Sequence, residues 1–291
     1  MGHGHVESAE SILDREYPVL DKGFVRLVDY MGGDQRIVQA ARVSYGEGTK
    51  SYRQDAALID YLLRNEHTSP FEQVILTFHT KMPVFVARQW VRHRTARMNE
   101  ISGRYSVMKD EFYVPDGSDI AMQSEDNKQG RSPDPVEPPT QAAVRDRLAE
   151  GQARAYAEYE ELLGLGIARE LARVNLPLSL YTEWYWQIDL HNLFHFLRLR
   201  MDPHAQREIR AYAVTMFEIT KQVCPMACES FENHMLGSVR FSSPEWKALR
   251  SIITGAIGDD ESAMRDAARA AGIDGRALDR FVEKVRSGAQ Q

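Results

Sequence analysis

Apolar residues recur at helical spacing along much of the chain. This pattern predicts helices over residues 34–44, 51–65, 84–92, 140–163, 168–174, 189–200 and 205–223, with three weaker helical patterns after Gly237. Two stretches have the character of strands instead: residues 74–83 alternate apolar and polar side chains, and residues 176–189 are rich in aromatic residues. Strands interrupted by several helices indicate an α+β fold.

Polar and charged segments indicate how the chain is organised. We predict a flexible N-terminal arm over residues 1–20 and one compact domain over residues 21–236. Within that domain, residues 116–140 are polar, contain several prolines and lack periodicity, which predicts a mobile loop. Residues 237–291 are predicted to form a helical C-terminal extension, and we interpret its charged last part as a solvated surface element.

Composition narrows the class of protein. The 291 residues are 43% hydrophobic and 27% charged, which is typical of a globular protein. The formal net charge of -6 disfavours a protein that coats nucleic acid. Cys224 and Cys228 are too few for a disulfide framework, and we interpret them as buried residues in a reducing compartment. No stretch has the apolar length of a membrane span or the pattern of a signal peptide, so we predict a cytoplasmic protein.

The positive charge of this acidic chain is concentrated in one segment, "RQWVRHRTARMNEISGRYS", residues 88–106. It contains five arginines, whose guanidinium groups match phosphates and carboxylates bidentately. A solvated helix face would explain the arginines alone, but not the accompanying His93, Asn99, Glu100 and Ser102. Because Glu100 and Ser102 can hydrogen-bond a sugar or a polar heterocycle, the segment predicts a phosphorylated, nucleotide-like ligand.

Two other classes of protein are open at this point. A nucleic-acid-binding module could use the same arginines as a stripe along RNA or DNA, with binding that weakens as salt rises. A metal hydrolase could use His191 and His195, at i and i+4 on a predicted helix, with His204 as a third ligand. Asn192 stands where a metalloprotease helix carries its glutamate base, so we favour the wall of a ligand pocket over a metal site.

The arginine-rich segment also resembles a known family. Residues 92–105, "RHRTARMNEISGRY", are similar to the R-H-R-x7-S signature of the flavin-dependent thymidylate synthases, with the serine at Ser102. The resemblance spans residues 21–231 outside the predicted loop. It is carried by further blocks in the same order, residues 22–34, 68–90 and 172–213.

The resemblance implies a mixed sheet flanked by helices, and a homotetramer whose active sites are built from more than one subunit. It implies the reductive methylation of deoxyuridylate (dUMP) to thymidylate (dTMP), a DNA precursor. Methylenetetrahydrofolate would donate the carbon, and NADPH would reduce a bound FAD, which delivers hydride. The expected partners are dUMP and further copies of the chain, with no nucleic acid, membrane or metal. Two phosphate-bearing ligands would account for the number of arginines.

Site residues follow from the same resemblance, position by position. The dUMP contacts fall on Gln89, Arg92, Glu100, Ser102, Gly103, Arg104, Arg173 and Arg200. The FAD contacts fall on Ser69, Arg92, His93, Arg94, Glu100, Asp189, His191 and His195. Because flavin phosphates would repel a carboxylate, we expect Asp189 to face a ribose hydroxyl or an arginine.

Arg200 is the candidate catalytic residue. Cys224 and Cys228 lie outside the ligand-binding blocks, and Ser102 has no histidine base arranged beside it in the sequence. We therefore hypothesise that no side chain attacks the uracil ring. Instead, Arg200 near N3 of uracil would stabilise an ionised, enolate-like ring.

Overall fold

α-Helices account for about half of the described residues. The computed structural model describes residues 4–43, 52–125, 128–258 and 260–287. Its α-helices are α1 Glu7–Glu10, α2 Asp34–Ala41, α3 Tyr52–Arg64, α4 Val84–Trp90, α5 Pro138–Gly164, α6 Arg169–Ala172, α7 Leu190–Arg200, α8 Arg207–Val223, α9 Pro225–Phe231, α10 Ser243–Ile257, α11 Glu261–Ala270 and α12 Gly275–Ser287. The helices that the apolar spacing predicts are confirmed, although the predicted ends at residues 44 and 51 lie outside the described residues. Of the helices described, none is both long and apolar enough to cross a membrane.

Five strands form the main sheet, in the order β1-β2-β3-β7-β4, and two more form a separate hairpin. The strands are β1 Glu16–Val19, β2 Gly23–Met31, β3 Ile75–Pro83, β4 Arg97–Glu100, β5 Ala121–Gln123, β6 Arg131–Pro135 and β7 Tyr181–Asp189. The α+β class is confirmed. The expected mixed sheet is wrong in its strand directions, since every pairing in the main sheet is antiparallel. Side-chain alternation identifies a strand, but the connections between strands set its direction.

The main core lies between the sheet and helices α4, α7 and α8. Along β7, alternate residues Trp184, Trp186 and Ile188 are buried, as the period of two in a strand requires. The indole of Trp90, at the end of α4, stacks on Phe196 of α7 with ring centroids 4.9 Å apart and meets Trp184 edge-on at 5.4 Å. These aromatic contacts hold the end of α4 against α7, so the arginine-rich segment starts beside that helix.

Residues 4–20 contribute to the main core, and the prediction of a flexible arm is wrong for this part of the chain. Ala9, Ile12 and Val19 are buried, and β1 pairs with β2 through Glu16 and Arg26. The segment is too polar on average to suggest this, but its described apolar residues are buried in the core or packed against it. The first three residues lie outside the described part of the chain.

The predicted loop over residues 116–140 contains regular structure. Asp116 caps a short 3-10 turn by accepting a hydrogen bond from the Ser118 backbone, β5 and β6 form an antiparallel hairpin, and α5 already begins at Pro138. The prediction of a segment without regular structure is therefore wrong, whereas its mobility stays a prediction. Two prolines in β6 concealed the strand, and they are tolerated because both strands of a two-stranded sheet are edges.

From Gly237 onward the chain forms a second compact unit. Met264 and Ala268 of α11 pack with Leu278, Val282 and Val285 of α12 to form its core. This part is therefore not simply a solvated surface element, because α11 and α12 each bury one face. Ser242 and Glu245 form a capping box that starts α10, which satisfies backbone donors at the helix end.

Candidate functional site

A pocket of about 180 Å³ lies at the edge of the sheet where β4 pairs with β7. Glu100 ends β4, and its Oε1 accepts a hydrogen bond from Thr182 Oγ1 of β7 at 2.6 Å. Arg173 also lines the pocket, opposite in charge to Glu100. The remaining lining is mostly apolar: Val84, Ile101, Gly103, Met108, Leu176, Pro177, Leu178 and Leu180. A carboxylate, a guanidinium and an apolar wall are suited to a small ligand with both charged and flat parts.

Gly103 allows the chain to pass close to Arg173. A Cβ at this position would lie 2.8 Å from Met108 Sδ and 3.1 Å from Arg173 Nη1, both closer than ordinary van der Waals contact. The backbone of Gly103 is not in the left-handed region, so space rather than conformation requires the glycine. The absence of a side chain therefore keeps Arg173 against the pocket.

Ser102 and Arg104 form a tight turn directly after β4. Ser102 Oγ accepts a hydrogen bond from the Arg104 backbone N–H at 3.3 Å, and the Ser102 carbonyl accepts one from Tyr105 at 3.0 Å. The Arg104 guanidinium lies 3.3 Å from Glu170, with more than half of each side chain exposed. Such exposed pairs contribute little to stability, so Arg104 can exchange this partner for a ligand anion at low cost.

A second group of predicted residues meets at the C-terminal end of α7. Arg200 is the last residue of α7 and is half-buried. Its Nε donates a hydrogen bond to His93 Nε2 at 3.0 Å, and its Nη2 donates to the Gln89 carbonyl oxygen at 3.3 Å. Nη1 of Arg200 has no acceptor among the described residues. Arg200 is thus held on two sides while one donor group stays available.

His93 is neutral over the physiological pH range. Burial, the charge of Arg200 and the nearby His195 together lower the pKa of His93 to about 4. Because the Arg200 guanidinium can only donate, Nε2 of His93 must be the accepting nitrogen, which leaves the proton on Nδ1. The imidazole therefore positions Arg200 without adding a second positive charge.

The N-terminal end of α7 carries the other predicted FAD residues. Asp189 caps this helix: its Oδ1 accepts a hydrogen bond from the Asn192 backbone N–H at 2.9 Å, and its Oδ2 accepts one from Asn192 Nδ2 at 2.7 Å. No arginine contacts Asp189 within the described residues, so one of the two expected surroundings is not found. His191 and His195 follow on one side of the helix, and burial lowers the pKa of His195 with help from Arg198 and His191.

The structure brings some predicted residues together and leaves others apart. Glu100, Gly103 and Arg173 line one pocket, and Arg200 donates hydrogen bonds to His93 and to the backbone of Gln89. The His195 ring lies 5.9 Å from that of His93. In contrast, the side chains of Ser69, Arg92 and Arg94 are exposed and make no hydrogen bond or ion pair with any described residue.

The sequence patterns do not predict some residues of the candidate site. Thr182, the partner of Glu100, lies on the buried face of β7, where it reads as an ordinary strand residue. The strand β4 itself was missed, since all four of its residues are exposed and show no alternation. Met108 and residues 176–178, which form the apolar wall, carry no local signal for a pocket.

The histidines and cysteines do not form a metal centre in the described part of the chain. No group of three histidine, cysteine, aspartate or glutamate residues is placed to hold a metal ion there. The prediction that Cys224 and Cys228 are buried is confirmed, and both are free thiols. Burial raises the pKa of each thiol well above its usual value.

The fold and the site define a protein with a small pocket, lined by a carboxylate and a guanidinium, at the edge of an antiparallel sheet. A family model described as thymidylate synthase complementing protein matches residues 26–226, and one described as the thymidylate synthase ThyX C-terminal domain matches residues 239–291. The chain belongs to the flavin-dependent thymidylate synthase family, which confirms the resemblance of residues 92–105.

Individual relatives agree with the family. The flavin-dependent thymidylate synthase of Treponema denticola is 63% identical over 278 residues, which cover 96% of this chain and 100% of that protein. That of Treponema pallidum is 57% identical over 291 residues, which cover 100% of this chain and 91% of that protein. The crystal structure of a UMP/dUMP methylase, PolB from Streptomyces cacaoi, bound with 5-Br dUMP, has a TM-score of 0.69 and 33% identity, and covers 75% of this chain and 98% of that one.

Proposed function

We propose that this chain catalyses the reductive methylation of dUMP to dTMP, with 5,10-methylenetetrahydrofolate as carbon donor and NADPH as reductant of a bound FAD. The observation that carries the proposal is the pocket in which Glu100, Gly103 and Arg173 meet. Arg173 lies far from Glu100 and Gly103 in the sequence, and each of the three is a residue that the resemblance assigns to dUMP. Family membership and the names of the relatives give independent support.

The pocket and the turn that follows β4 offer groups that match each part of dUMP. Arg173 and the loosely paired Arg104 supply guanidinium groups for the phosphate. The Glu100 carboxylate accepts hydrogen bonds and so suits a ribose hydroxyl or an imide N–H, while Ser102 can donate or accept. Thr182 holds the Glu100 side chain in place through its hydrogen bond. The apolar wall suits the flat face of the pyrimidine.

The residues proposed for FAD fit a group with a pyrophosphate. Arg92 and Arg94 present exposed guanidinium groups without a carboxylate partner among the described residues, which is the donor set that phosphates prefer. Ser69, His93, His191 and His195 add hydrogen-bonding groups, and Asp189 fixes the start of α7. When bound, FAD supplies the hydride. Because Ser69, Arg92 and Arg94 make no hydrogen bond or ion pair with the described residues, we infer that further copies complete the site in a homotetramer.

Ring activation in this proposal uses no nucleophile from the protein. Both thiols are buried with raised pKa, so neither supplies a thiolate at neutral pH. The Ser102 hydroxyl contacts a backbone N–H rather than a base. Arg200 keeps its charge although burial lowers its pKa, and its Nη1 is available to a developing anion on uracil. We therefore expect Ser102→Ala to retain turnover, and complete loss with intact dUMP binding would favour a serine nucleophile.

A visible absorption spectrum followed by a dUMP titration tests the proposal. We expect the purified protein to be yellow, with the bands of oxidised flavin, and to bind dUMP. The alternative of a nucleic-acid-binding module predicts a colourless protein whose binding to oligonucleotides falls steeply with salt. A colourless protein that binds an oligonucleotide but not dUMP would reject the proposed function.

A further inference from the structure

A row of hydrogen bonds leads from the buried Glu208 to the candidate dUMP residue Gln89. Glu208, near the start of α8, is 2% exposed. Its Oε1 accepts hydrogen bonds from Arg131 Nη2 at 2.6 Å and from the Tyr113 hydroxyl at 3.2 Å. Its Oε2 accepts one from Gln206 Nε2 at 2.8 Å. Gln206 in turn accepts a hydrogen bond through its Oε1 from Gln89 Nε2.

The Glu208 carboxylate is ionised at neutral pH. Burial acts to raise its pKa, but the hydrogen bond and the charge of Arg131 outweigh burial, so the pKa of Glu208 lies below its usual value. An ionised carboxylate has four lone-pair positions and no proton to donate. Whatever faces either oxygen of Glu208 must therefore be a donor.

The need for a donor opposite Glu208 fixes the orientation of the Gln206 amide and then that of the Gln89 amide. Because Glu208 accepts only, Gln206 must turn its NH2 group toward Glu208, which leaves its carbonyl oxygen toward Gln89. Gln89 must then turn its own NH2 group toward Gln206. The acceptor-only chemistry of the carboxylate alone therefore assigns the nitrogen and the oxygen of each amide.

Gln89 is consequently left with a carbonyl oxygen that has no donor among the described residues. Its backbone oxygen accepts a hydrogen bond from Arg200, so Gln89 is directly linked to the candidate catalytic residue. An acceptor in this place suits a donor of the ligand, such as the imide N–H of uracil or a ribose hydroxyl.

We propose that Glu208 and Gln206 are positioning residues that fix the amide of Gln89, so that Gln89 offers dUMP a hydrogen-bond acceptor. This inference rests on the proposed function. Neither positioning residue contacts the ligand. They determine which of two nearly identical shapes Gln89 presents, and therefore whether its hydrogen bond to the nucleotide is made or replaced by a clash of like groups.

Glu208→Gln tests the proposal because it exchanges donor and acceptor in each hydrogen bond from position 208 to Gln89, while the side chain keeps nearly the same shape. The new amide keeps its oxygen toward Arg131 and Tyr113 and turns its NH2 group toward Gln206. Gln206 must then flip, and Gln89 flips with it and presents an NH2 group to the ligand. We expect the Kd for dUMP, measured by calorimetry on the flavin-loaded full chain, to rise about ten-fold, the scale of one hydrogen bond replaced by an unpaired group.

The double variant Gln206→Glu with Glu208→Gln distinguishes this role from a structural one. The carboxylate at position 206 accepts one hydrogen bond from the amide at position 208 and one from the NH2 group of Gln89. The orientation of Gln89 is restored, so we expect the Kd for dUMP to return to within about three-fold of the unsubstituted protein. A structural role of Glu208 predicts the opposite, since the double variant carries one more change than the single variant.

Tyr113→Phe is the matched control. It removes another hydrogen bond from Glu208 but leaves the carboxylate and the row to Gln89 intact, so the melting temperature should fall while the Kd for dUMP does not change. Unchanged dUMP affinity in Glu208→Gln, or a double variant no better than the single one, would overturn the inference alone. Failure of the unsubstituted protein to bind dUMP would overturn the proposed function and this inference with it.

Discussion

Arg200 and the pair Arg92 and Arg94 differ in how the chain holds them. Arg200 is half-buried, and two of its nitrogens are already hydrogen-bonded, to His93 and to the Gln89 carbonyl. Arg92 and Arg94 are exposed and have no ion pair or hydrogen bond with the described residues through their side chains. All three are charged, but only Arg200 has a fixed position before any ligand binds.

The difference indicates separate roles for Arg200 and for the exposed arginines. A charge that must stabilise a transition state is most effective when it is already oriented, because no reorganisation is then needed during reaction. A charge that only binds a phosphate can be ordered by the ligand itself, at a cost in side-chain entropy. We therefore assign chemistry to Arg200 and binding to the exposed arginines.

The largest effect is expected for Arg200→Ala. Loss of the oriented guanidinium should lower kcat about 10²- to 10³-fold, as for removal of an oxyanion-stabilising donor. Bound FAD should be largely retained, because Arg200 is not among the proposed FAD contacts. Steady-state kinetics with the flavin content measured in parallel checks both statements. Full activity in Arg200→Ala would remove the assignment, and Arg154→Ala, an exposed arginine of α5, is the control.

Asp34 is a buried carboxylate that has no cationic partner among the described residues. Its carboxylate is 8% exposed and accepts hydrogen bonds from the backbone N–H groups of Met226 and Ala227, at 2.8 and 3.1 Å. Burial nevertheless raises the pKa of Asp34 to about 6. Since the folded state holds this proton more tightly than the unfolded state, the contribution to stability is full below pH 4 and is lost as the pH rises through about 6.

Asp34→Asn should remove this pH dependence. We expect the unsubstituted protein to lose about 2 kcal/mol of unfolding free energy between pH 4 and 7 from this group, and the variant to lack that decline. Urea unfolding at a series of pH values measures the difference between the two proteins. Parallel curves for both would show that Asp34 is not the titrating group.

Arg92→Ala and Arg94→Ala should each weaken ligand binding by about ten-fold, as expected for one charge-assisted hydrogen bond. The melting temperature of the protein without added ligands should stay the same, because neither side chain makes a hydrogen bond or ion pair with the described residues. Flavin retention during dialysis and dUMP titration measure binding, and thermal unfolding measures stability. A marked loss of stability in either variant would contradict the division between binding and preorganised arginines.

The smallest effects are expected at two glycines. Gly103→Ala places a Cβ against Met108 and Arg173, so Arg173 must shift and dUMP affinity should fall by a few-fold. Gly151 lies in the middle of α5 with nothing within 4 Å of a new Cβ, so Gly151→Ala should stabilise by about 0.5–1 kcal/mol. Titration and thermal unfolding of the pair check this contrast, and a Gly103→Ala protein that binds dUMP as before would remove the steric argument.

Periodicity predicted the regular parts of the fold because long elements repeat their apolar pattern. The strand β3 and helices α5, α7 and α8 are examples, each with several buried residues or clear caps. Shorter elements gave no such signal. β4 has four exposed residues, and β6 contains two prolines, so their strand character depends on pairing partners elsewhere in the chain.

The sequence predicted the arginines of the candidate site but not the residues that hold the site's side chains in place. The family resemblance named Glu100, Gly103 and Arg200 as candidates, because it depends on residue types at matching positions. It could not identify Thr182, Gln206 or Glu208, since a hydrogen bond across 80 or more residues depends on how helices and strands pack. The hydrogen bonds of these three residues determine the orientation of the predicted residues.

The measurement that tests the account most directly is dTMP formation by the purified protein with dUMP, methylenetetrahydrofolate and NADPH. We predict that dTMP accumulates, that one NADPH is oxidised for each dTMP formed, and that omission of any one of the three compounds stops the reaction. A yellow protein that binds dUMP yet forms no dTMP under these conditions would contradict the proposed function.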